Sequence, residues 1–387
     1  MARLMKPGQG EAKLAKKHIA LVSVNNVNPN LSDGGSRATY EVLRFLSHQG
    51  HTVSYLNYFS SERYRFRDAN PVAQTARFGN LLYGENGSGI SLVEQAVSFR
   101  SDKIQNRDAL ITHMVETLRG KTVDFTITCD ADCLSLIAVS ILNLPGVHFF
   151  NSIENVKHYE RISPAFVGML RKRSILTVSD FLRRKVSTKL KIPSDVWYNR
   201  FDFAAQGMSN LGEGTAVGFY SSGATIKGEQ IVERLVKNMP HVPFVTIGHP
   251  LRPPGESVLG SANLCHLGWI EFMSRFYERL KVLVVPSLVE EGAPRVIVEA
   301  CSRGIPVIAN RLGGIPEALG DSGILVDVDL ERADVEGLAE IYQAHIERLL
   351  QDPEEYEASR KRALDRAEAY REMQERNSLE IYEKYFF

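Results

Sequence analysis

The sequence predicts an α/β protein of two doubly wound domains that face one another across a cleft, and three observations carry that prediction. A chain of 387 residues is longer than one hydrophobic core comfortably organises. Apolar, β-branched runs of strand length alternate with segments of helical spacing, the pattern of a parallel sheet covered on both faces. The alternation breaks once, across Asn199 to Ala216, a stretch rich in small and turn-forming residues, and then restarts.

The first series of strand-like runs is HIALVSV from His18, HTVSYLNY from His51, VDFTITC from Val123, GVHFF from Gly146 and SILTVS from Ser174. SRATYEVLRFLSHQG, between the first two runs, and FLRRKVSTKL, after the last, have helical spacing, whereas Tyr58 to Arg100 reads as loops. The second series is VGFYSS, FVTIGH, NLCHLGW, VLVVPS, PVIAN and GILVDV, and charged helical segments follow Asp329. The expected divisions are a basic leader over 1–17, a Rossmann-like domain over 18–200, a linker over 201–215, a second Rossmann-like domain over 216–369, and a terminal helix over 370–387 that packs back on the first domain. Parallel sheets bind ligands at the carboxyl ends of their strands, so both domains are expected to contribute to one site.

Charge narrows the function. Forty-six basic residues balance forty-six acidic ones, which argues against a nucleic-acid partner engaged through bulk charge. The start has no apolar segment long enough for a signal peptide, and no run reaches the roughly 20 apolar residues of a membrane span. A cytoplasmic protein is expected. Arg3, Lys6, Lys13, Lys16 and Lys17 form either a solvated leader or a peripheral contact with a membrane surface. Cys129, Cys133, Cys265 and Cys301 show no paired metal spacing and are expected as reduced, mostly buried thiols.

The chemistry concentrates in PSLVEEGAPRVIVEACSRGIPVIANRLGGIPEAL, Pro286 to Leu319. Pro294 suits a first helical position, because the N–H it lacks would be unpaired there. Glu291 then falls on the strand-to-helix loop and Glu299 on the helix, and each carboxylate can accept several hydroxyl hydrogen bonds. Near the start, Gly34 and Gly35 allow close backbone approach ahead of a helix expected from Ser36.

These residues closely resemble the nucleotide-binding signature of the retaining glycosyltransferases of family 4, glycosyl transferases group 1, which have the GT-B fold. The matching positions are Pro286, Ser287, Glu291, Gly292, Pro294, Glu299, Gly304, Pro306 to Ala309, Gly313, Gly314 and Glu317. The resemblance implies that Glu291 contacts the donor sugar and Glu299 the ribose of the donor nucleotide. It places Gly292, Ala293 and Pro294 along the sugar, the amides of Val296 and Ile297 near the phosphates, and Gly268 and Trp269 at the base. Gly34 and Gly35 are similar to the family's first loop.

Three stretches depart from the family pattern. Where relatives present Gly-Arg-Leu-x-x-x-Lys-Gly to the diphosphate, this chain reads YSSGATIKG, so Lys227 and Gly228 stand but Ser222 replaces the arginine. Arg295, on the first turn of the helix, is either a substitute for that cation or an exposed helical side chain. Where many relatives place a sugar-contacting histidine, Cys129 and Asp130 stand instead, and Asp130 either binds a sugar hydroxyl or caps a helix starting near Ala131. His148 and His158 have no assigned place. Asn199-Arg200-Phe201-Asp202 likewise replaces the family's Asn-Gly-Val-Asp.

The resemblance thus implies transfer of a sugar with retention, from a nucleotide diphosphate sugar, a UDP-sugar ahead of a GDP-sugar, to an acceptor hydroxyl in glycan, polysaccharide or glycoconjugate synthesis. The acceptor lies against the first domain. No cofactor and no metal are expected. Two alternatives stand beside this reading: a GT-B synthase acting on a non-sugar, and a silent sugar-nucleotide binding protein.

Overall fold

The computed structural model describes residues 16–23, 34–60, 90–97, 107–203, 214–221, 225–248, 251, 260–268, 270, 273–332 and 334–387. Among these residues the strands form two parallel sheets. The first contains β1 (His18–Ser23), β2 (Thr52–Ser60), β3 (Ile90–Val97), β4 (Phe125–Cys129), β5 (Gly146–Phe150), β6 (Ser174–Thr177) and β7 (Asp195–Val196), in the order β3-β2-β1-β4-β5-β6-β7. The second contains β8 (Ala216–Ser221), β9 (Phe244–Gly248), β10 (Leu264–His266), β11 (Leu280–Val285), β12 (Val307–Asn310) and β13 (Ile324–Val326), in the order β10-β9-β8-β11-β12-β13. The winding reverses between β1 and β4 in the first sheet and between β8 and β11 in the second, and ligand crevices form at such points.

In the first domain the helices are α1 (Gly34–His48), α2 (Arg107–Gly120), α3 (Cys133–Ile141), α4 (Ile153–Arg161), α5 (Pro164–Leu170) and α6 (Asp180–Leu190). In the remainder they are α7 (Glu229–Asn238), α8 (Ser274–Tyr277), α9 (Arg295–Cys301), α10 (Ile315–Leu319), α11 (Val335–Gln351) and α12 (Pro353–Tyr385). Both faces of each sheet are covered, and strand alternation decides which residue meets which layer. In β1, Ile19 and Leu21 pack with Leu43 and Leu46 of α1, whereas Ala20 and Val22 pack with Leu110 and Met114 of α2. In the second sheet, Val217, Val282 and Val284 pack with α7 and α11, and Leu283 and Val285 pack with α9 and α10.

α12 is one unbroken helix of 33 residues, about 50 Å long at 1.5 Å per residue, with no break at 370. Asp352 caps it by accepting from the N–H groups of Glu354 and Glu355, both at 3.0 Å, and Pro353 occupies the first turn, where no N–H is needed. Ala363 and Ala367 let its first half lie close to α9 in the second domain's core. Its last turns place Ile381, Tyr382 and, just beyond it, Phe386 in the core of the first domain.

The segment leading out of the first domain docks on α12. Gln374 and Phe201 exchange hydrogen bonds, Phe201 N–H to Oε1 at 2.9 Å and Nε2 to the Phe201 carbonyl at 3.0 Å. Residues 204–213 of the expected linker lie outside the described residues.

Two expectations are corrected here. β3 lies within the region read as loops; its sequence, ISLVEQAV, places polar residues in an edge strand and so lacks the continuous apolar run that marks the interior strands. Of the four cysteines, Cys129 and Cys301 are buried, Cys133 is half-buried and Cys265 is exposed. Cys265 sits on β10, the outer strand of its sheet, which explains its exposure. Among the described residues no helix is long and apolar enough to cross a membrane.

Trp197 is the side chain that α12 and the first sheet share. It is fully buried, meets Phe45, Phe149 and Phe386 at ring-centroid distances of 6.0, 5.6 and 5.7 Å, and donates from Nε1 to Ser378 Oγ at 3.2 Å. Trp197→Ala is therefore expected to destabilise the protein by about 3–5 kcal/mol, read from the denaturant midpoint. A loss below about 1 kcal/mol, within the range of ordinary surface substitutions, would show that α12 is not anchored there.

Candidate active site

A cavity of about 440 Å³ lies between the domains, at the carboxyl ends of the strands flanking both winding reversals. Its second-domain wall is the loop from β11 to α9, and that loop is placed by glycines. Gly228 has φ +83°, and a Cβ there would stand 2.1 Å from the Pro286 carbonyl oxygen, so only glycine lets the two turns meet. The Leu288 N–H donates to the Ile226 carbonyl at 2.7 Å and ties the same turns together. Lys227 is thereby held beside Glu291: Nζ lies 2.5 Å from Glu291 Oε1, which also accepts from Ser287 Oγ at 2.6 Å. From below, Gly313 (φ +59°) and Gly314 press on the loop, where added Cβ atoms would come within 2.4 Å of the Glu291 carbonyl and 2.0 Å of the Gly292 carbonyl. The Gly314 N–H donates to that Glu291 carbonyl at 2.7 Å.

One turn into α9, Glu299 is buried and lines the same cavity. Its Oε2 accepts from Tyr277 Oη at 2.8 Å, and Arg295 Nε lies 3.6 Å from Oε1. Burial, and then the Glu299 charge, push the Tyr277 hydroxyl well above its ordinary range, so it remains a donor. Arg295 is not an exposed helical side chain, being only 6% accessible. Its guanidinium lies 4.1 Å from the centre of the Phe201 ring and donates from Nη1 to the Arg200 carbonyl at 2.9 Å, while Nη2 has no hydrogen-bond partner among the described residues. The side chain is buried because the Asn199–Phe203 segment folds over it, a contact invisible in the helix's own sequence.

Two boundaries shift by a residue or two. Pro294, with ψ 110°, is the N-cap rather than the first helical residue of α9, and α1 begins at Gly34 rather than Ser36. The Ile297 N–H donates to the Pro294 carbonyl at 3.2 Å, so that amide closes the turn; Val296, Gly292, Ala293 and Pro294 line the cavity.

On the first-domain wall, Asp130 does not cap a helix. α3 is capped instead by Asp132, which accepts from the Ser135 N–H at 3.0 Å. Asp130 has φ +56° and lines the cavity, with its carboxylate filled by the Asn151 N–H at 3.0 Å, Asn151 Nδ2 at 3.1 Å and Asn155 Nδ2 at 2.5 Å. It thus orients two amide side chains at the wall. Gly268 has φ +65°, and its carbonyl accepts from the Gly248 N–H at 2.8 Å. Ser222 and Trp269 lie outside the described residues. His148 is buried within the sheet, its Nδ1 2.9 Å from Thr128 Oγ1, and burial followed by the Arg173 charge lowers it to about 3, leaving the ring neutral. His158 is exposed beside Cys133, and neither histidine lines the cavity.

Arg37, Asn151, Asn155 and Tyr277 were not identified as site residues from the sequence. Of these only Arg37 carried a signal there: it is a cation on the first turn of a helix that has no acidic residue in that turn, where the helix dipole disfavours positive charge.

The two walls are joined. Ser179 Oγ donates to the Gly292 carbonyl at 2.6 Å, Asn199 Nδ2 to the Ala293 carbonyl at 3.1 Å, and Lys185 Nζ pairs with Glu290 at 2.8 Å. Glu317, from the Gly313–Gly314 turn and α10, accepts from the N–H groups of Asp180 and Phe181 at 2.7 and 3.1 Å, placing a carboxylate on the open amino end of α6. A Cβ at Gly292 would stand 2.3 Å from the Asn151 carbonyl, so the lips meet backbone to backbone.

The chain resembles known proteins in sequence and in fold. Residues 222–352 match the family model described as glycosyl transferases group 1. The O-antigen chain mannosyltransferase B of Escherichia coli is 31% identical over 111 residues, an alignment spanning 27% of this chain and 27% of that protein. Among solved structures, a glycosyltransferase from Rickettsia africae superposes with a TM-score of 0.70 at 17% identity, covering 96% of this chain and 99% of that one. Sucrose-phosphate synthase from Thermosynechococcus elongatus gives 0.69 at 18% identity over 96% and 98% of the two chains. HepE from Anabaena, in complex with UDP-glucose, gives 0.67 at 17% identity over 95% and 99%. The chain has the GT-B fold.

The Glu317 contact generates a prediction. Glu317→Ala removes the acceptor for two backbone donors at the domain boundary, at an expected cost of about 1–3 kcal/mol. Hydrogen exchange at the Asp180 and Phe181 amides should accelerate more than at amides of β11. Equal change at both places would mean that the carboxylate does not hold the boundary.

Proposed function

We propose that the protein is a retaining glycosyltransferase that transfers a sugar from a nucleotide diphosphate sugar, a UDP-sugar ahead of a GDP-sugar, to an acceptor hydroxyl in glycan or glycoconjugate synthesis. The observation that carries this reading is the Lys227–Glu291 pair, 2.5 Å apart at the mouth of α9 in a cavity both domains line. A cation and a carboxylate so placed suit the two halves of such a donor, phosphate and sugar. The match over residues 222–352 covers the elements that carry both groups.

In this reading the pair is self-neutralised until the donor arrives. Lys227 then turns to the phosphate, and Glu291, still steadied by Ser287, accepts hydroxyl hydrogen bonds from the sugar. Glu299 keeps Tyr277 on one oxygen and has lone pairs left for the ribose hydroxyls. As the glycosidic bond breaks, positive charge grows at the sugar and negative charge on the leaving diphosphate, and side-chain cations rather than a metal stabilise the latter. The leaving phosphate takes the proton of the incoming hydroxyl on the same face, which yields retention. The acceptor lies along the Asn151–Asn155 wall, and the protein works in the cytoplasm.

Purified protein incubated with a panel of sugar nucleotides tests this: slow hydrolysis of one names the donor, whereas binding without turnover points to a silent binder. Glu291→Gln keeps the side chain's size and removes its charge. It is expected to lower kcat and kcat/KM together by about 10²–10³, and Lys227→Ala to lower both at least as far. Unchanged turnover in either variant would remove that residue from the mechanism.

A further inference from the structure

We infer that Arg37, on the first domain, is a diphosphate-binding cation that acts across the cleft from Lys227. The inference rests on the function proposed above and extends it to a residue outside the second domain. Arg37 lies on the first turn of α1, two residues after Gly35, and lines the same cavity as Lys227, Glu291 and Arg295.

The charge arrangement of the cavity singles it out. Among the described residues, every carboxylate lining the cavity has a partner. Glu291 pairs with Lys227 at 2.5 Å, Glu290 with Lys185 at 2.8 Å and Glu154 with Lys157 at 2.7 Å. Glu299 holds Tyr277 at 2.8 Å, and Asp130 is filled by Asn151 and Asn155. Arg37 forms no hydrogen bond or ion pair with any of them among the described residues.

A second cation is also incompletely matched. Arg295 is 6% accessible, and its Nη2 is buried without a partner among the described residues. The two guanidinium groups feel one another: Arg295 is lowered first by burial and then by the charge of Arg37, against the opposing charges of Glu299 and Glu41. Two arginines thus line the cavity with guanidinium N–H groups that no described carboxylate takes up, Arg37 beside the amino end of a helix with no acidic residue in its first turn. A diphosphate offers acceptors to both. Its oxygens match the fork of a guanidinium, which binds phosphate through paired N–H groups.

The reading also accounts for Ser222, which is neutral where the family pattern has an arginine. On this inference the second cation comes from the opposite domain. Donor binding would then draw charges on both walls toward one ligand, whereas a site with both cations on the second domain could bind the diphosphate without the first.

Calorimetric titration of the full chain with UDP, GDP, uridine and guanosine tests the inference. Arg37→Ala is expected to weaken the preferred nucleoside diphosphate by about 10- to 100-fold and to leave the matching nucleoside unchanged. Arg37→Lys should recover part of the loss, and adding Ser222→Arg to Arg37→Ala should recover more. The partly exposed side chain makes misfolding of the alanine variant easy to check by its thermal midpoint. If the variant binds the diphosphate as wild type does, or loses nucleoside and diphosphate equally, Arg37 is not a phosphate ligand and the proposed function stands without it. If wild type binds neither diphosphate, both the inference and the proposed function fall.

Discussion

Glu291 is held in place by backbone packed against backbone. Three glycines, Gly228, Gly313 and Gly314, bring neighbouring turns to within 2.4 Å or less of where a Cβ would stand. A side chain at any of these positions would push the loop off the end of β11. With the loop in place, one carboxylate oxygen takes both the Lys227 and Ser287 hydrogen bonds, and the ion pair has a fixed position at the cavity mouth. A loop fixed by van der Waals exclusion stays put whichever charge is present. On the proposed mechanism, in which the ion pair opens for the donor, the partners can separate without the scaffold relaxing.

The same loop forms the boundary between domains. Gly292 meets Asn151 through their main chains, Ser179 caps α6 while donating to Gly292, and Glu317 covers the remaining amides at that helix end. The Tyr198 hydroxyl is raised to about 12, by burial first and then by Glu317, which shows how closely this carboxylate also approaches the segment leaving the first domain. α12 adds a second tie on the far side, beginning in one core and ending in the other. Between the two ties, the Asn199–Phe203 segment lays the Phe201 ring and the Arg200 carbonyl on Arg295. The linker therefore forms part of the site's wall as well as the connection between domains.

Burial gives the polar groups of the cavity different tasks. Glu299 is deep, with a tyrosine kept protonated beside it and an arginine within ion-pair distance, an arrangement suited to presenting a fixed set of acceptors. Asp130, nearer the first sheet, spends its acceptors on two asparagines and so fixes their amide planes. His148 shows the opposite case: sealed among aromatic rings in the sheet, it stays neutral and takes no part in the cavity.

The fold was legible because its signals are local. Runs such as VLVVPS and PVIAN mark strands buried on both faces, and the glycines at 292, 313 and 314 stand in one short motif with Glu291, Glu299 and Glu317. β3 escaped because an edge strand has only one neighbour and does not need an unbroken apolar run. By itself, then, the sequence determined the two doubly wound domains, the turn that carries Glu291 and the helix that carries Glu299. Tertiary structure alone decided that Glu291 faces Lys227, 64 positions away; that Glu317 caps a helix of the other domain; that Phe201 buries Arg295; and that Arg37 and Asn155 enter the same cavity. Spacing along a chain fixes which face of an element a residue occupies. Which distant residue meets that face depends on how whole layers pack, and no local pattern encodes that.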